Sequence, residues 1–237
     1  MAWLNWILVS IALLLGGCGM VPVAKMKLAP ELQSGAQVVE IAGLIPNLSG
    51  SYTFGRYSGT FSRSASATSL FNGLRNLQNA TVSYAMNSQT HGQLLSADCT
   101  FGKSSVNTRL VSFDTQPFNY ECAFTSAVAS RSGRLRLGER KSKQLVELAQ
   151  TERLSGEMQL GQLRLRLVSV HQAEGGAFPI NKPLGYQIFG NGRVLGAVQV
   201  ADFSPKVHFL AGLSDEEHIA VAAASLALGV FMAPPGS

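Results

Sequence analysis

The segment Leu163-Arg164-Leu165-Arg166-Leu167 alternates strictly between an aliphatic and a basic side chain. The same alternation occurs in Arg134-Leu135-Arg136-Leu137. Because successive side chains of a strand point to opposite faces, each segment predicts a strand with its leucines in a core and its arginines in water. Half-buried strands of this kind are typical of antiparallel sheets.

Turn residues between alternating segments predict hairpins. Gly190-Asn191-Gly192 lies between the apolar runs Tyr186–Phe189 and Arg193–Val200, and Asn-Gly in that position is the strongest short-range hairpin signal. Gly161 marks the turn of a second hairpin within residues 156–171. These hairpins extend the alternating pattern into a sheet.

A further strand pair is predicted around a turn at Asp114–Pro117. The flanking segments Val106–Phe113 and Phe118–Phe124 are rich in apolar and aromatic residues. Asp and Pro favour turns because of their backbone preferences, so we expect the chain to reverse between these two segments.

The composition agrees with a body of strands and turns. The chain has 237 residues, of which only 14% are charged, against about 25% in an average globular protein. Glycine accounts for 24 of the 237 residues, which is more than the usual share of about 7%. The hydrophobic content of 46% excludes a wholly disordered chain. We therefore predict a mainly β (α+β) fold, an antiparallel sheet or partly closed barrel, in a single domain over residues 37–237.

Two segments have helical rather than alternating spacing. Thr68–Leu77 places its apolar residues at helical intervals. Ser214 and Glu217 have the spacing of a capping box, which predicts a C-terminal helix over residues 215–232. At 1.5 Å per residue, its uncharged part is shorter than the ~30 Å hydrocarbon core of a bilayer. We expect this helix to pack on the sheet, with a second membrane contact as the alternative.

The N-terminal residues 1–17 contain no charged side chain. An apolar run of about ten residues followed by small residues is the anatomy of a secretory signal peptide, and it is shorter than the ~20 residues of a transmembrane helix. The end of this run, Leu15-Gly16-Gly17-Cys18, resembles the lipobox of bacterial lipoproteins. The alternative is a buried apolar helix with a cysteine by chance.

The resemblance implies that Cys18 carries the lipid and that residues 1–17 are a lipoprotein signal peptide, cut before Cys18. Two or three acyl chains anchor a protein stably to a membrane, whereas one does not. Gly19, which is not acidic, implies the outer membrane, with the domain facing the periplasm. Residues 18–36, with Pro22 and Pro30 and no clear period, are then the lipidated cysteine and a tether.

The other two cysteines, Cys99 and Cys122, would be exported into an oxidising compartment, where a disulfide is the default. The bond would close a loop of about 24 residues and stabilise the fold by roughly 3 kcal/mol. Metal ligation is an alternative, although no Cys-x-x-Cys pattern supports it. A free reactive thiol is a third.

Catalytic motifs are missing from the sequence. The histidines, His91, His171, His208 and His218, form no zinc-binding pattern, and the chain has no nucleophile elbow, phosphate loop or dinucleotide fingerprint. We therefore assign no catalytic residue, metal or cofactor, and favour a protein that is not an enzyme.

Basic residues form the remaining signal. Six cations fall within thirteen residues, and two more are expected on a neighbouring strand with the same outward phase: Arg131, Arg134, Arg136, Arg140, Lys141, Lys143, Arg164 and Arg166. Together they predict a surface for an anionic envelope partner, such as anionic lipid, lipopolysaccharide or peptidoglycan. The alternative is a solvated strand face that keeps the protein soluble. Nucleic acid is not expected in that compartment.

These observations predict a lipid-anchored cell-envelope protein with a binding or structural role. Two alternatives stay open. One is an envelope hydrolase that uses His208 or His171, and the other is a carrier that holds a small hydrophobic ligand inside the sheet.

Overall fold

The computed structural model describes residues 24–44, 47–70, 75–90, 92–107, 112–126, 132–139, 154–202 and 204–231. Within these residues, twelve antiparallel strands form one closed barrel, and a C-terminal helix packs on its inner face. The predicted mainly β fold is confirmed. The strands are β1 (Gln37–Ala42), β2 (Ser49–Phe54), β3 (Tyr57–Leu70), β4 (Arg75–Ser88), β5 (Gly92–Asn107), β6 (Ser112–Thr125), β7 (Gly133–Glu139), β8 (Leu154–Leu160), β9 (Leu163–Val170), β10 (Gly185–Gly190), β11 (Arg193–Gln199) and β12 (Lys206–Phe209), and the helices are α1 (Pro30–Gln33) and α2 (Asp215–Val230).

The barrel is a simple meander. Every strand pairs with its neighbours in sequence, and β1 also pairs with β12, from Gln37 opposite Phe209 to Glu40 opposite Lys206. The barrel has two ends. The upper rim carries tight turns, including that at Asn191-Gly192, and the lower rim is where strands such as β9 end and β10 begin.

The turns of the upper rim follow from their glycines. Asn191 and Gly192 both have positive φ, 52° and 77°, as a two-residue hairpin turn of the primed type requires. Gly55 and Gly161 also have positive φ in their turns. The hairpins predicted at residues 156–171 and 186–200 are both present.

Alternation along the strands separates an apolar lumen from a polar outer surface. On β4, Val82, Tyr84 and Met86 are buried, whereas Thr81 and Ser83 are exposed. Because the period of a strand is two residues, the apolar residues that share this phase on β4 all face the lumen.

Helix α2 lies inside the barrel. Every residue from Ile219 to Val230 is buried, which only a helix surrounded on all sides achieves. Hydroxyl groups from the β4–β6 side reach its backbone: Tyr84 Oη donates to the Ala223 carbonyl at 2.9 Å, and Tyr120 Oη donates to the Ala227 carbonyl at 2.7 Å. The other side of α2 packs closely on β9, β11 and β12.

Residue size explains where α2 sits in the lumen. A Cβ on Gly196 of β11 would lie 2.8 Å from Val221 Cγ1, so glycine is needed for the close approach of helix and strand. On the opposite side, Tyr84 and Tyr120 fill the wider gap between α2 and the wall. Burial raises the pKa of both phenols, so both remain protonated donors to the helix backbone.

Both ends of α2 are fixed. At the N-terminus, Ser214 and Glu217 form the predicted capping box. At the C-terminus, the buried Arg63 guanidinium donates to the carbonyls of Val230 (3.1 Å), Leu44 (2.8 Å) and Asn47 (2.8 Å). A cation at a helix C-terminus also interacts favourably with the helix dipole.

Residues 24–36 run along the outside of the barrel from the lower to the upper rim. Met26 and Leu32 are each 2% exposed and pack on Leu184, Val194 and Ala197. The Met26 N–H also donates to Gln199 Oε1 at 3.1 Å. The described part of the predicted tether is therefore docked on the barrel. Apolar residues on the outer side of β11 provide the surface that it covers.

The helix predicted at Thr68–Leu77 is wrong. Thr68 lies near the end of β3 and pairs with Leu77 near the start of β4. The two strands pair over fourteen successive positions, and this long-range ladder overrides a weak local spacing.

The turn predicted at Asp114–Pro117 is also wrong, because β6 runs through these residues. The β5–β6 ladder shifts register on both sides of Ser104, which pairs with Gln116, the residue before Pro117. Proline lacks an N–H donor and is tolerated at such irregularities in a sheet.

The predicted disulfide between Cys99 and Cys122 is confirmed. The two residues are direct partners on β5 and β6, with Cα atoms 4.0 Å apart, and both are buried on the lumen side. Neighbouring strand positions of the non-hydrogen-bonded type approach closely enough for such a bond.

Replacement of Arg63 tests the enclosed helix. We expect Arg63→Met to lower the free energy of unfolding by about 3 kcal/mol, because buried carbonyls would lose their donors. Arg136→Met is the control, since Arg136 makes an exposed ion pair with Glu121 and such pairs contribute at most about 1 kcal/mol. Urea unfolding measures both, and equal small losses would contradict the role of Arg63.

Candidate functional site

Four arginines of the predicted basic surface lie together on the outer wall of the barrel. Arg134 and Arg136 belong to β7, Arg164 and Arg166 belong to β9, and all four are exposed. The alternating leucines of both strands face the lumen. We call these four residues the arginine face.

We expected from the sequence that the two arginine-bearing strands would be neighbours. Instead, β8 lies between β7 and β9 and separates the two arginine pairs. The register places Glu157 of β8 between Arg136 and Arg166, and Gln159 between Arg134 and Arg164. Since neighbouring strands are ~4.8 Å apart and alternate residues ~7 Å apart, the four Cα atoms mark a rectangle of about 7 by 10 Å.

The arginine face borders an open groove of about 930 Å³. At its lower side, the row across β7 and β8 consists of Gly138 and Ser155, whose side chains are absent or small. The long arginines of the next two rows rise above this floor. The groove therefore follows from the contrast in side-chain length between neighbouring rows.

The arginines differ in their partners. Arg136 lies 3.5 Å from Glu121 in an exposed ion pair. The Arg166 guanidinium lies over the Phe189 ring, 4.5 Å from its centroid, an arrangement that attracts a cation to the ring face. Within the described residues, neither Arg134 nor Arg164 has a carboxylate partner, so their donors face solvent across the groove.

Glu157, Gln159 and Phe189 also belong to this surface and were not predicted from the sequence. The hairpin around Gly161 contained the signal, since a two-residue turn fixes the register and places Glu157 opposite Arg166. The remaining predicted cations, Arg131, Arg140, Lys141 and Lys143, lie outside the described residues. Cys18 and His91 also lie outside them.

A histidine and a serine form a hydrogen-bonded pair at the lower rim. Ser169 Oγ lies 2.9 Å from His171 Nε2, and His171 Nδ1 lies 2.9 Å from the Ile180 carbonyl oxygen. A carbonyl can only accept, so Nδ1 carries the proton and Ser169 donates to Nε2. Ser169 Oγ also accepts from the Leu154 N–H at 2.9 Å. The pair thus joins β8, β9 and the connection to β10.

His218 lies at the upper rim, in the first turn of α2. Its ring stacks on Phe209 with centroids 4.1 Å apart, and Nδ1 lies 2.8 Å from Tyr57 Oη. Arg56 donates to Tyr57 and also pairs with Asp215 at 3.1 Å. Burial and the Arg56 charge lower the pKa of His218, while Asp215 opposes the shift. This cluster fastens the start of α2 to the β2–β3 turn.

His208 is half-buried on β12. Its pKa is lowered mainly by burial and to a smaller extent by the positive charge of the nearby Lys206. Within the described ranges, no three His, Cys, Asp or Glu side chains are placed to hold a metal ion. Neither described helix is both long and apolar enough to cross a membrane.

The chain matches no protein-family model, and comparison with curated proteins and with solved structures finds no similar protein.

The two histidines with lowered pKa make stability depend on pH. Below their ordinary pKa of about 6.5, the unfolded chain binds protons that the folded chain does not. We therefore expect the free energy of unfolding to fall as the pH drops from about 7 to about 5. The cause is tested with a double variant, His208→Gln with His218→Gln, which should flatten this dependence in urea unfolding. An unchanged slope in the double variant would contradict the assignment.

Proposed function

We propose that this chain is a lipid-anchored cell-envelope protein that binds a multiply anionic component of the envelope through its arginine face. The observation that carries the proposal is the arrangement of Arg134, Arg136, Arg164 and Arg166 around an open groove. The role is binding rather than catalysis.

The chemistry of arginine supports an anionic partner. Its planar guanidinium donates two parallel hydrogen bonds to a phosphate or carboxylate group. Arg134 and Arg164 have no carboxylate partner among the described residues, and they flank the uncharged Gln159. A partner with charges repeated at about 7 to 10 Å would contact several corners of the face.

The anchor rests on the residues Leu15-Gly16-Gly17-Cys18 and their resemblance to a lipobox. Cys18 precedes the docked segment, which begins at Ala24, by six residues. Six extended residues span at most ~21 Å. An acyl group on Cys18 would therefore hold the barrel close to the membrane and its polyanions.

The enclosed helix argues against the alternative function, a carrier that holds a small hydrophobic ligand inside the barrel. The lumen that the described residues line is occupied by α2 and by tyrosines such as Tyr84 and Tyr120. A hydrophobic ligand in that space would have to displace α2, which is capped at both ends. An outer-surface binding site needs no such change.

Acylation is tested directly at Cys18. We expect Cys18→Ser to abolish incorporation of labelled palmitate and to release the protein from the membrane fraction, because the lipid-bearing thiol is lost. Cys99→Ser with Cys122→Ser is the control, since those thiols form the disulfide, and that variant should still be labelled. Labelling that persists in Cys18→Ser would refute the anchor.

The arginine face is tested by removing its two arginines without carboxylate partners. We expect Arg134→Gln with Arg164→Gln to weaken binding to purified lipopolysaccharide about tenfold, as the loss of about 1.4 kcal/mol would do. Calorimetric titration at low and at physiological ionic strength measures the loss, which salt should reduce.

The matched control removes the same charge elsewhere. Arg56→Gln with Lys206→Gln removes two positive charges, which pair with Asp215 and Asp202 at positions that do not line the groove. The affinity of this variant for lipopolysaccharide should change less than twofold. Equal weakening in the two double variants would show nonspecific attraction to the net charge, and an unchanged affinity in Arg134→Gln with Arg164→Gln would refute the site.

A further inference from the structure

The connection between β9 and β10, residues 171–184, exposes apolar side chains at the lower rim. We call it the aromatic loop. Phe178 is 82% exposed and Ile180 is 39% exposed. Exposed apolar side chains that occur together mark surfaces that contact a protein or a membrane, and these two lie two residues apart in one loop.

The aromatic loop is held in place by its own hydrogen bonds. The Ile180 N–H donates to the His171 carbonyl at 2.8 Å, and His171 Nδ1 donates back to the Ile180 carbonyl. Gln172 and Pro179 form an isolated bridge. Phe178 lies at the tip of this hairpin-like loop, which these hydrogen bonds close. Its exposure is therefore imposed by the backbone and is not the result of a loose end.

The aromatic loop also contacts the chain that leads to Cys18. The Lys27 N–H donates to the Gln172 carbonyl at 2.9 Å, and the Glu174 N–H donates to the Lys25 carbonyl at 2.8 Å. The first residues that the structure describes, from Ala24 to Lys27, therefore lie beside this loop, at the same end of the barrel as Phe178.

Other exposed groups share this rim. Leu48, in the connection between β1 and β2, is 57% exposed, and this connection leaves and re-enters the barrel at the lower rim. Lys25 and Lys27 are exposed beside the aromatic loop. Exposed apolar side chains with nearby lysines are the composition that binds an anionic membrane surface.

We propose that the aromatic loop inserts Phe178 into the interface of a lipid bilayer, as a second membrane contact beside the acylated Cys18. The inference rests on the proposed function for the anchor, and it adds the orientation of the barrel: the lower rim faces the bilayer. Membrane attachment that uses two signals is more stable than attachment by one.

A single tryptophan reports on this contact. The natural tryptophans, Trp3 and Trp6, both precede Cys18, so the processed protein carries only the indole that is introduced. Phe178→Trp places it at the tip of the aromatic loop. Val38→Trp is the matched control, because Val38 is 54% exposed but lies on β1, on the outer wall.

The experiment uses the full acylated chain with vesicles of equal parts phosphatidylethanolamine and phosphatidylglycerol. We expect both variants to sediment with the vesicles. Only Phe178→Trp should shift its emission to shorter wavelength and be quenched by brominated lipid. Vesicle-bound protein with equal emission and quenching in the two variants would overturn the inference and leave the anchor intact.

Failure of the proposed anchor gives a different result. If neither variant sediments with the vesicles, the proposed anchor is refuted and the second contact is refuted with it. A Phe178→Asp variant adds a functional measurement, since a carboxylate resists insertion. We expect a larger fraction of this variant than of Val38→Asp to dissociate from the vesicles at high salt, and equal dissociation would count against the loop.

Discussion

The pairing of β1 with β12 is the constraint on which the structure depends. It joins Gln37–Glu40 to Lys206–Phe209 and removes both free edges of the sheet, so every inward side chain faces one lumen. Eight strands enclose a space that side chains alone can fill. Twelve strands enclose a wider one, and close packing requires that it be filled. Helix α2, with a diameter of about 10–12 Å, fills it.

The local pattern predicted several of the strands and turns but not the closure. Alternation in segments such as Leu163–Leu167 and the Asn191-Gly192 turn depend on neighbours in sequence, and the structure contains both. Closure depends on two segments about 170 residues apart. No periodicity within either segment records that pairing.

The sequence of α2 itself indicates that this helix is enclosed. Residues from Ile219 to Val230 are apolar or small on every face of the helix, and a helix with that pattern is surrounded on all sides. Tyr84 and Tyr120 reach its carbonyls from the far wall. For the arginine face, alternation gave the outward phase, but the order of strands was needed to place Glu157 within it.

The even number of strands determines at which rim each end of the described chain lies. Twelve strands return the chain to the upper rim, where β1 begins and β12 ends. The docked segment 24–36 outside and α2 inside each cross the barrel once, so both reach the lower rim. The rows of the arginine face lie on the wall between the rims. The acylation that we propose for Cys18 would hold the lower rim at the bilayer and would leave the groove on this wall open to a polyanion.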